Sequence, residues 1–393
     1  MRIAELTVFH VRIRLKKPIR HASQTRSDTD SIVARCVLDS GVVGWGEGLP
    51  REYVTGETID TAFQQVHETD WRPQLAESFS NLTEAVALSG RISPLRPISG
   101  VRDCFGNSLR CALELSVLDA AARAEDVPLS HVTTLVPETI AIANPRSSVQ
   151  YSGAITTSGK WGQRIKAWKM RLFGFHQVKV KVGASDVDDA DALSRIRKIL
   201  GPKVDLRLDA NEAWTCENLE QKLAPLLPFD VTSLEQPVPH AEVEGLAKLR
   251  PQIPIPLMLD ESLCSASDGQ RAIEQGLCDL FNLRLSKCGG FVPSLRLAAM
   301  AHRAGLGYQM GCQVGETGIL SAAGRHFATS VDQIRYLEGS YDNFLVKERL
   351  TKENLTFGYG GKAPVLTKPG LGIQIDEHQL QQVTQRSLQI VTW

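Results

Sequence analysis

Residues 176–182 read HQVKVKV and residues 204–210 read VDLRLDA, and both alternate between apolar and charged side chains. Side chains of a strand point to opposite faces with a period of two. One face of the first stretch is therefore Val178, Val180 and Val182, and one face of the second is Val204, Leu206 and Leu208. The opposite faces carry Lys179 and Lys181, and Asp205, Arg207 and Asp209. Similar short stretches recur from about residue 149 onward: VQYSGAI, then these two, then DVTSLEQ, IPLMLDE, LFNLRLSK, LGYQMGC and QIRYLEG, each separated by helical periodicity. Eight strands alternating with helices predict an α/β fold, a (β/α)8 TIM-like barrel, whose apolar strand face meets the helices while the other face fills the interior.

The phase of the later strands turns acids inward. Leu234 faces out and Glu235 in; Leu257 and Leu259 face out and Asp260 in. Asp209, Glu235 and Asp260 thus end three successive strands, separated by 26 and 25 residues (235 − 209 and 260 − 235), one βα unit per step. This places three carboxylates at the mouth where barrel enzymes keep their sites. Converging carboxylates repel unless a cation lies between them. An all-oxygen donor set favours a hard divalent ion, Mg²⁺ first and Mn²⁺ as a substitute. The competing reading has the acids solvated in loops or paired with Arg207 and the inward lysines.

Around this region the chain is of ordinary soluble composition, with 42% hydrophobic residues and 44 basic against 44 acidic side chains. Zero net charge gives no support for nucleic acid or an anionic membrane as partner. The expectation is a small-molecule substrate. The eight cysteines are scattered without a CxxC pair, which predicts reduced thiols in a cytoplasm. The N-terminus alternates like a strand and lacks the apolar core of a signal peptide, and no apolar run approaches the ~20 residues of a membrane span. Residues 1 to about 60 read as strands and residues 60 to about 130 as helices, an α+β domain. The predicted division is 1–135 for that domain, 136–350 for the barrel and 351–393 for a tail returning to the first domain.

With these elements in place, the sequence resembles the enolase superfamily, and within it the muconate-cycloisomerase-like subgroup. The resemblance rests on KVK at 179–181, DAN at 209–211, EQP at 235–237, DES at 260–262, CGG at 288–290, GWGEG at 44–48 and PGLGIQID at 369–376. It implies that the first domain and the tail cap the barrel, and that Asp209, Glu235 and Asp260 hold Mg²⁺. It further implies removal of a proton α to a carboxylate, with Lys181 as acid/base and Lys179 stabilising the enolate. Asn211 falls beside substrate, and a homo-oligomer is implied.

One position departs from the family pattern. The sixth strand of such relatives carries a second acid/base lysine where FNLRLSKCGG, residues 281–290, has Arg284. Phe281, Leu283 and Leu285 are its apolar set, so Asn282, Arg284 and Ser286 should face inward, with Lys287 out of phase or in the loop. Arginine is a poor proton acceptor, with a pKa above about 12. The expectation is one-base chemistry on a small carboxylate, cycloisomerisation or dehydration, with Lys287 able to substitute only by swinging in. A racemase or epimerase of an amino-acid derivative or dipeptide is the alternative, and a non-catalytic binding protein on the same barrel is the third reading. Candidate substrate contacts are Arg51 and Tyr53 in REYVTGET, which looks like the matching loop of dipeptide epimerases, Arg20 and His21 in PIRHASQTR, Glu316 after strand seven, and Glu338 at strand eight. Dipeptide epimerases carry a DxD pair at strand eight. Here Ser340 stands two residues after Glu338.

Overall fold

The computed structural model describes residues 1–20, 25–96, 100–156 and 159–392. Three N-terminal strands, β1 (Ile3–Arg20), β2 (Thr25–Leu38) and β3 (Val43–Gly48), pair antiparallel in that order. Gly41, at φ 83°, closes the β2–β3 turn. The last strand of the chain, Thr384–Thr392, adds to the free edge of β1, which ties the two termini into one sheet. Helix α1 (Asn107–Ala124) lies directly on β3. The GWGEG pattern makes that approach possible: a Cβ on Gly44, Gly46 or Gly48 would run into the backbone of Ala120, Ala112 or Ser108.

The second region is an eight-stranded parallel sheet: β4 (Gly153–Ile155), β5 (Gln177–Lys181), β6 (Asp205–Asp209), β7 (Val231–Glu235), β8 (Leu257–Leu259), β9 (Leu280–Leu283), β10 (Gly307–Met310) and β11 (Ile334–Leu337). Each pairs with its neighbour in chain order. The sheet curls until its ends meet: Ser152, just before β4, donates from its N–H and hydroxyl to Leu337 O at 2.8 and 2.7 Å. Val178, Leu206, Leu208, Leu234, Leu257 and Leu259 are buried in the core, as the strand phase predicts. The interior is filled across its width, with the Arg207 guanidinium 4.5 Å from the centre of the Tyr336 ring.

Two of the expected strands change on folding. VQYSGAI divides, because Ser148–Gln150 pairs outside the barrel with Lys362–Pro364 before the chain enters at Ser152. LFNLRLSK ends as a strand at Leu283. Leu285–Cys288 then coil into a helical turn, closed by the left-handed Gly289.

The cap meets the barrel through buried polar groups. Glu47 of β3 accepts from Thr317 N, Thr317 Oγ1 and Leu320 N at the start of helix α5 (Gly318–Ser330). Glu114 of α1 accepts from Phe291 N and from Val292 N (3.0 Å) at the start of helix α4 (Phe291–Arg303). Helix N-termini favour negative charge. Burial is the larger effect and pushes both carboxyls up to about 7.

Candidate active site

The parallel register sets Lys181 level with Asp209, and Asp209 level with Glu235. All three stand at the C-terminal ends of their strands. Asp260 follows β8 one residue beyond its end. The three predicted acids are buried, and their oxygens are linked by cations. Lys179 Nζ lies 3.3 Å from Asp209 and 3.2 Å from Glu235, while Arg284 Nη2 contacts Asp260 and lies 3.7 Å from Glu235 Oε1. Among the described residues no three acidic, histidine or cysteine side chains are gathered closely enough to hold one ion. Ammonium and guanidinium groups stand between the carboxylates instead. The donor set nevertheless fits a hard divalent cation: three carboxylates on adjacent strands, each already within reach of a positive charge shared with its neighbour.

Glu338 points inward, as its phase with Tyr336 predicts. It receives Lys179 Nζ at 2.8 Å and Arg207 Nη2 at 2.6 Å. Burial alone would raise its pKa, but the charges of Lys179 and Arg207 outweigh that and pull it to about 2. Lys179 responds in the opposite sense. Burial would lower it, yet Glu235, Glu338 and Asp209 together hold it well above the ordinary lysine value. Lys179 is therefore a fixed positive charge.

Lys181 differs. Its ammonium donates to the Asn211 side-chain oxygen, and among the described residues it has no carboxylate ion pair. Asn211 adopts a left-handed φ of 43° and donates its backbone N–H to Asp209 Oδ1 at 3.1 Å. Glu212 and Gln236 are also left-handed, at φ 64° and 34°. Backbone outliers of this kind cluster at functional sites, where the surroundings hold them in place.

On the sixth strand both cations go to Asp260. Arg284 takes Oδ2; Lys287, fully buried, lies 3.0 Å from Oδ1 and donates to the carbonyls of Asp260 and Leu263 at 2.6 and 2.8 Å. Lys287 is neither a strand residue nor free to swing in. The turn that begins after Arg284 carries it beneath Asp260. The same turn removes Ser286 from the barrel interior, where the extended phase had put it. Its hydroxyl instead accepts from Leu49 N of the cap at 2.8 Å.

Of the proposed substrate contacts, Arg51 is buried and donates to the carbonyls of Asp30, Pro50 and Val314 and to the Thr29 hydroxyl, so it ties the cap loop to the barrel. Tyr53 packs on Val54, Cys104 and Cys264, with Arg26 over its ring. Glu316 is half-buried, its carboxyl pushed up to about 8 by the loss of solvent around it, and it shares a small cavity with Glu338 and Tyr151. Ser340 is buried and donates to the Tyr151 hydroxyl. His21 and the side chain of Arg20 lie outside the described residues.

Three participants were not among the candidates. Arg207 holds Glu338, Asn282 donates to Glu235 Oε1 at 2.7 Å, and the Gln236 side chain accepts from Asp260 N at 2.8 Å. For Arg207 and Asn282 the strand phase was the available signal, since both read as inward polar residues. Gln236 carried none, because its role depends on the bend after β7.

The sequence model of the family described as "Enolase C-terminal domain-like" matches residues 164–379, more than half of the chain. The chain belongs to the enolase superfamily. Within the superfamily it is 27% identical to the N-succinyl-L-Arg/Lys racemase of Bacillus cereus, over 98% of each chain. Its fold is shared with the dipeptide epimerase of Cytophaga hutchinsonii, solved with Mg and the dipeptide D-Ala-L-Val (TM-score 0.84, 24% identity, 100% of each chain). It is shared equally with the muconate lactonizing enzyme of Pseudomonas fluorescens (TM-score 0.83, 23% identity, 98% and 99% of the two chains). The superfamily assignment thus stands, while the relatives found by sequence include this racemase and a hydrophobic dipeptide epimerase of Enterococcus faecalis, 26% identical over 85% of this chain and 89% of that protein, rather than a cycloisomerase. No described helix is long and apolar enough to cross a membrane.

Proposed function

We propose that this enolase-superfamily enzyme is an isomerase that removes the α-proton of an amino-acid-derived carboxylate, a racemase or epimerase, with Lys181 as the base. The observation that carries the reading is the contrast among the site's cations. Lys179, Arg207, Arg284 and Lys287 are each ion-paired to a carboxylate, and among the described residues Lys181 is held by Asn211 alone. A proton acceptor must not be locked in an ion pair, and a lysine without a carboxylate partner among the described residues meets that condition. Lys179 stays protonated and faces the same end of the barrel, where it stabilises negative charge developing on the substrate carboxylate. Asp209, Glu235 and Asp260 would hold Mg²⁺ or Mn²⁺, which when bound supplies positive charge against the enolate oxygens. The racemase relative and the dipeptide-bound fold neighbour support an α-carbon of an amino-acid derivative as the reacting centre.

A second reading rests on Arg284. Two-base racemisation needs a proton donor and acceptor on the opposite face, and that position holds an arginine fixed to Asp260. One-base chemistry, cycloisomerisation or syn dehydration, follows if Lys181 works alone. Both readings are tested by following N-acyl amino acids, dipeptides and unsaturated or hydroxylated diacids with Mg²⁺ in D₂O by NMR. Deuterium incorporation with inversion supports the racemase; exchange with retention, or loss of water, supports the one-base enzyme. No exchange or turnover with any of these, together with no Mg²⁺ binding by calorimetry, overturns both.

A further inference from the structure

Helix α2 (Lys160–Leu172), which follows β4, is built inside out. Its buried positions are Gln163 and Ala167, with Gln163 accepting a hydrogen bond from Arg195. Its large apolar residues face solvent instead: Trp161 is 75% exposed, Ile165 52%, Trp168 47% and Leu172 71%. They are spaced by four, three and four positions, the spacing that lines one helix face and packs against a second helix. Tyr359, also exposed, lies beside Phe173 and extends the stripe past the helix's C-terminal end. Contiguous apolar patches of this kind mark interaction sites, whereas scattered exposed residues do not.

We infer that this stripe is the surface through which a second copy of the chain docks, α2 against α2 about a two-fold axis with the helices antiparallel. The charges around the stripe select that occupant. The helix carries five cations and no acid between residues 160 and 172, and four aspartates stand at positions 186, 188, 189 and 191. Asp191 stands at the helix's N-terminal end, where it pairs with Lys160 at 3.3 Å and with Arg195, and Asp189 lines a cavity there with Gln163. An antiparallel two-fold pairing brings this acidic end against the partner subunit's Lys169 and Arg171, at the other end of the stripe, twice over. A two-fold interface must be self-complementary in this way. Antiparallel helix dipoles, each positive end beside the other's negative end, add in the same sense. An anionic membrane would suit the cations but would meet the aspartates on a chain whose formal net charge is zero.

The test is sedimentation velocity and light scattering of the full chain, comparing wild type with Trp161→Glu/Trp168→Glu and with Lys169→Glu/Arg171→Glu. Circular dichroism and melting confirm that each variant is folded. The expected result is an even-numbered wild-type oligomer, a fall in oligomeric order or at least a hundredfold weaker association in both variants, and restored association when Asp186→Lys/Asp188→Lys is added to the charge variant. Tryptophan emission should shift to the red on dilution of the wild type only. A monomeric wild type, or an oligomer unchanged by the tryptophan substitutions, overturns the inference. So does flotation of a monomeric wild type with phosphatidylserine vesicles, which would assign the stripe to a membrane. These readouts need no substrate and are independent of the proposed reaction.

Discussion

Strands β5 and β9 each deliver two cations to the same ring of carboxylates, and they are treated oppositely. On β5 the pair is spaced by two, Lys179 and Lys181, so both point inward along one face. Lys179 is taken up by three acids, and Lys181 is left to Asn211. After β9 the pair is spaced by three, and a helical turn begins between its members. Arg284 and Lys287 then grip Asp260 from two sides. The cap secures this second arrangement: Asn107 donates to Lys287 O at 2.7 Å, Leu49 to Ser286, and Glu114 receives the first amides of the following helix. Among the described residues, one strand thus leaves a lysine without a carboxylate partner, while both cations after the other are anchored to the same acid.

Breaking the first half gives the largest effect. Lys181→Ala should lower α-proton exchange about 10³-fold, in the range of lost general bases, and leave the melting temperature nearly unchanged. Wild-type exchange rates in that variant would remove Lys181 from the mechanism. Breaking the second half should cost stability. Lys287→Met leaves Asp260 with a buried, half-compensated charge, so unfolding in urea should show a loss of about 3 kcal/mol. Arg284→Lys sharpens the comparison by restoring a titratable amine at the sixth strand. Exchange with inversion should then rise relative to exchange with retention, read from the stereochemistry of deuterated product.

Asn211→Gly keeps the left-handed backbone and deletes only the group that holds Lys181. Exchange should fall about tenfold, the rate effect of about 1.4 kcal/mol, with unfolding unaffected. The last effect is read against pH and concerns the cap's grip on the helix after β9. Glu114 is raised by burial to about 7, with Arg110 and Arg296 facing it and opposing the shift. An acid whose folded pKa lies above its unfolded value holds its proton longer in the native state. Its contribution is full below the ordinary carboxyl pKa and is lost as pH rises to about 7. Unfolding free energy should therefore carry a slope of up to about 1.4 kcal/mol per pH unit from this group. Glu114→Gln should remove that part of the slope; an unchanged slope would disprove the assignment.

Much of this arrangement was legible in the chain before folding. Alternation with a period of two gave the faces of Lys179, Lys181, Arg207, Asp209, Glu235 and Glu338, and the regular step between acids gave the barrel. Those signals are local, because a strand's geometry fixes where each side chain points. The sixth strand was legible only as far as Arg284. A helical turn starts there, held by the cap and closed by Gly289, and no periodicity in FNLRLSKCGG announces it. Arg51 was ambiguous for a similar reason, since a cation in a cap loop reads alike whether it meets substrate or carbonyls from a distant loop.

The sequence by itself determined which residues line the barrel and that the inward position after Leu283 is an arginine, because side-chain identity and strand phase are properties of consecutive residues. Only the tertiary structure decided which cation is neutralised by which acid. Ion pairing depends on the distances between groups brought from six strands, and those distances exist only once the sheet has curled shut.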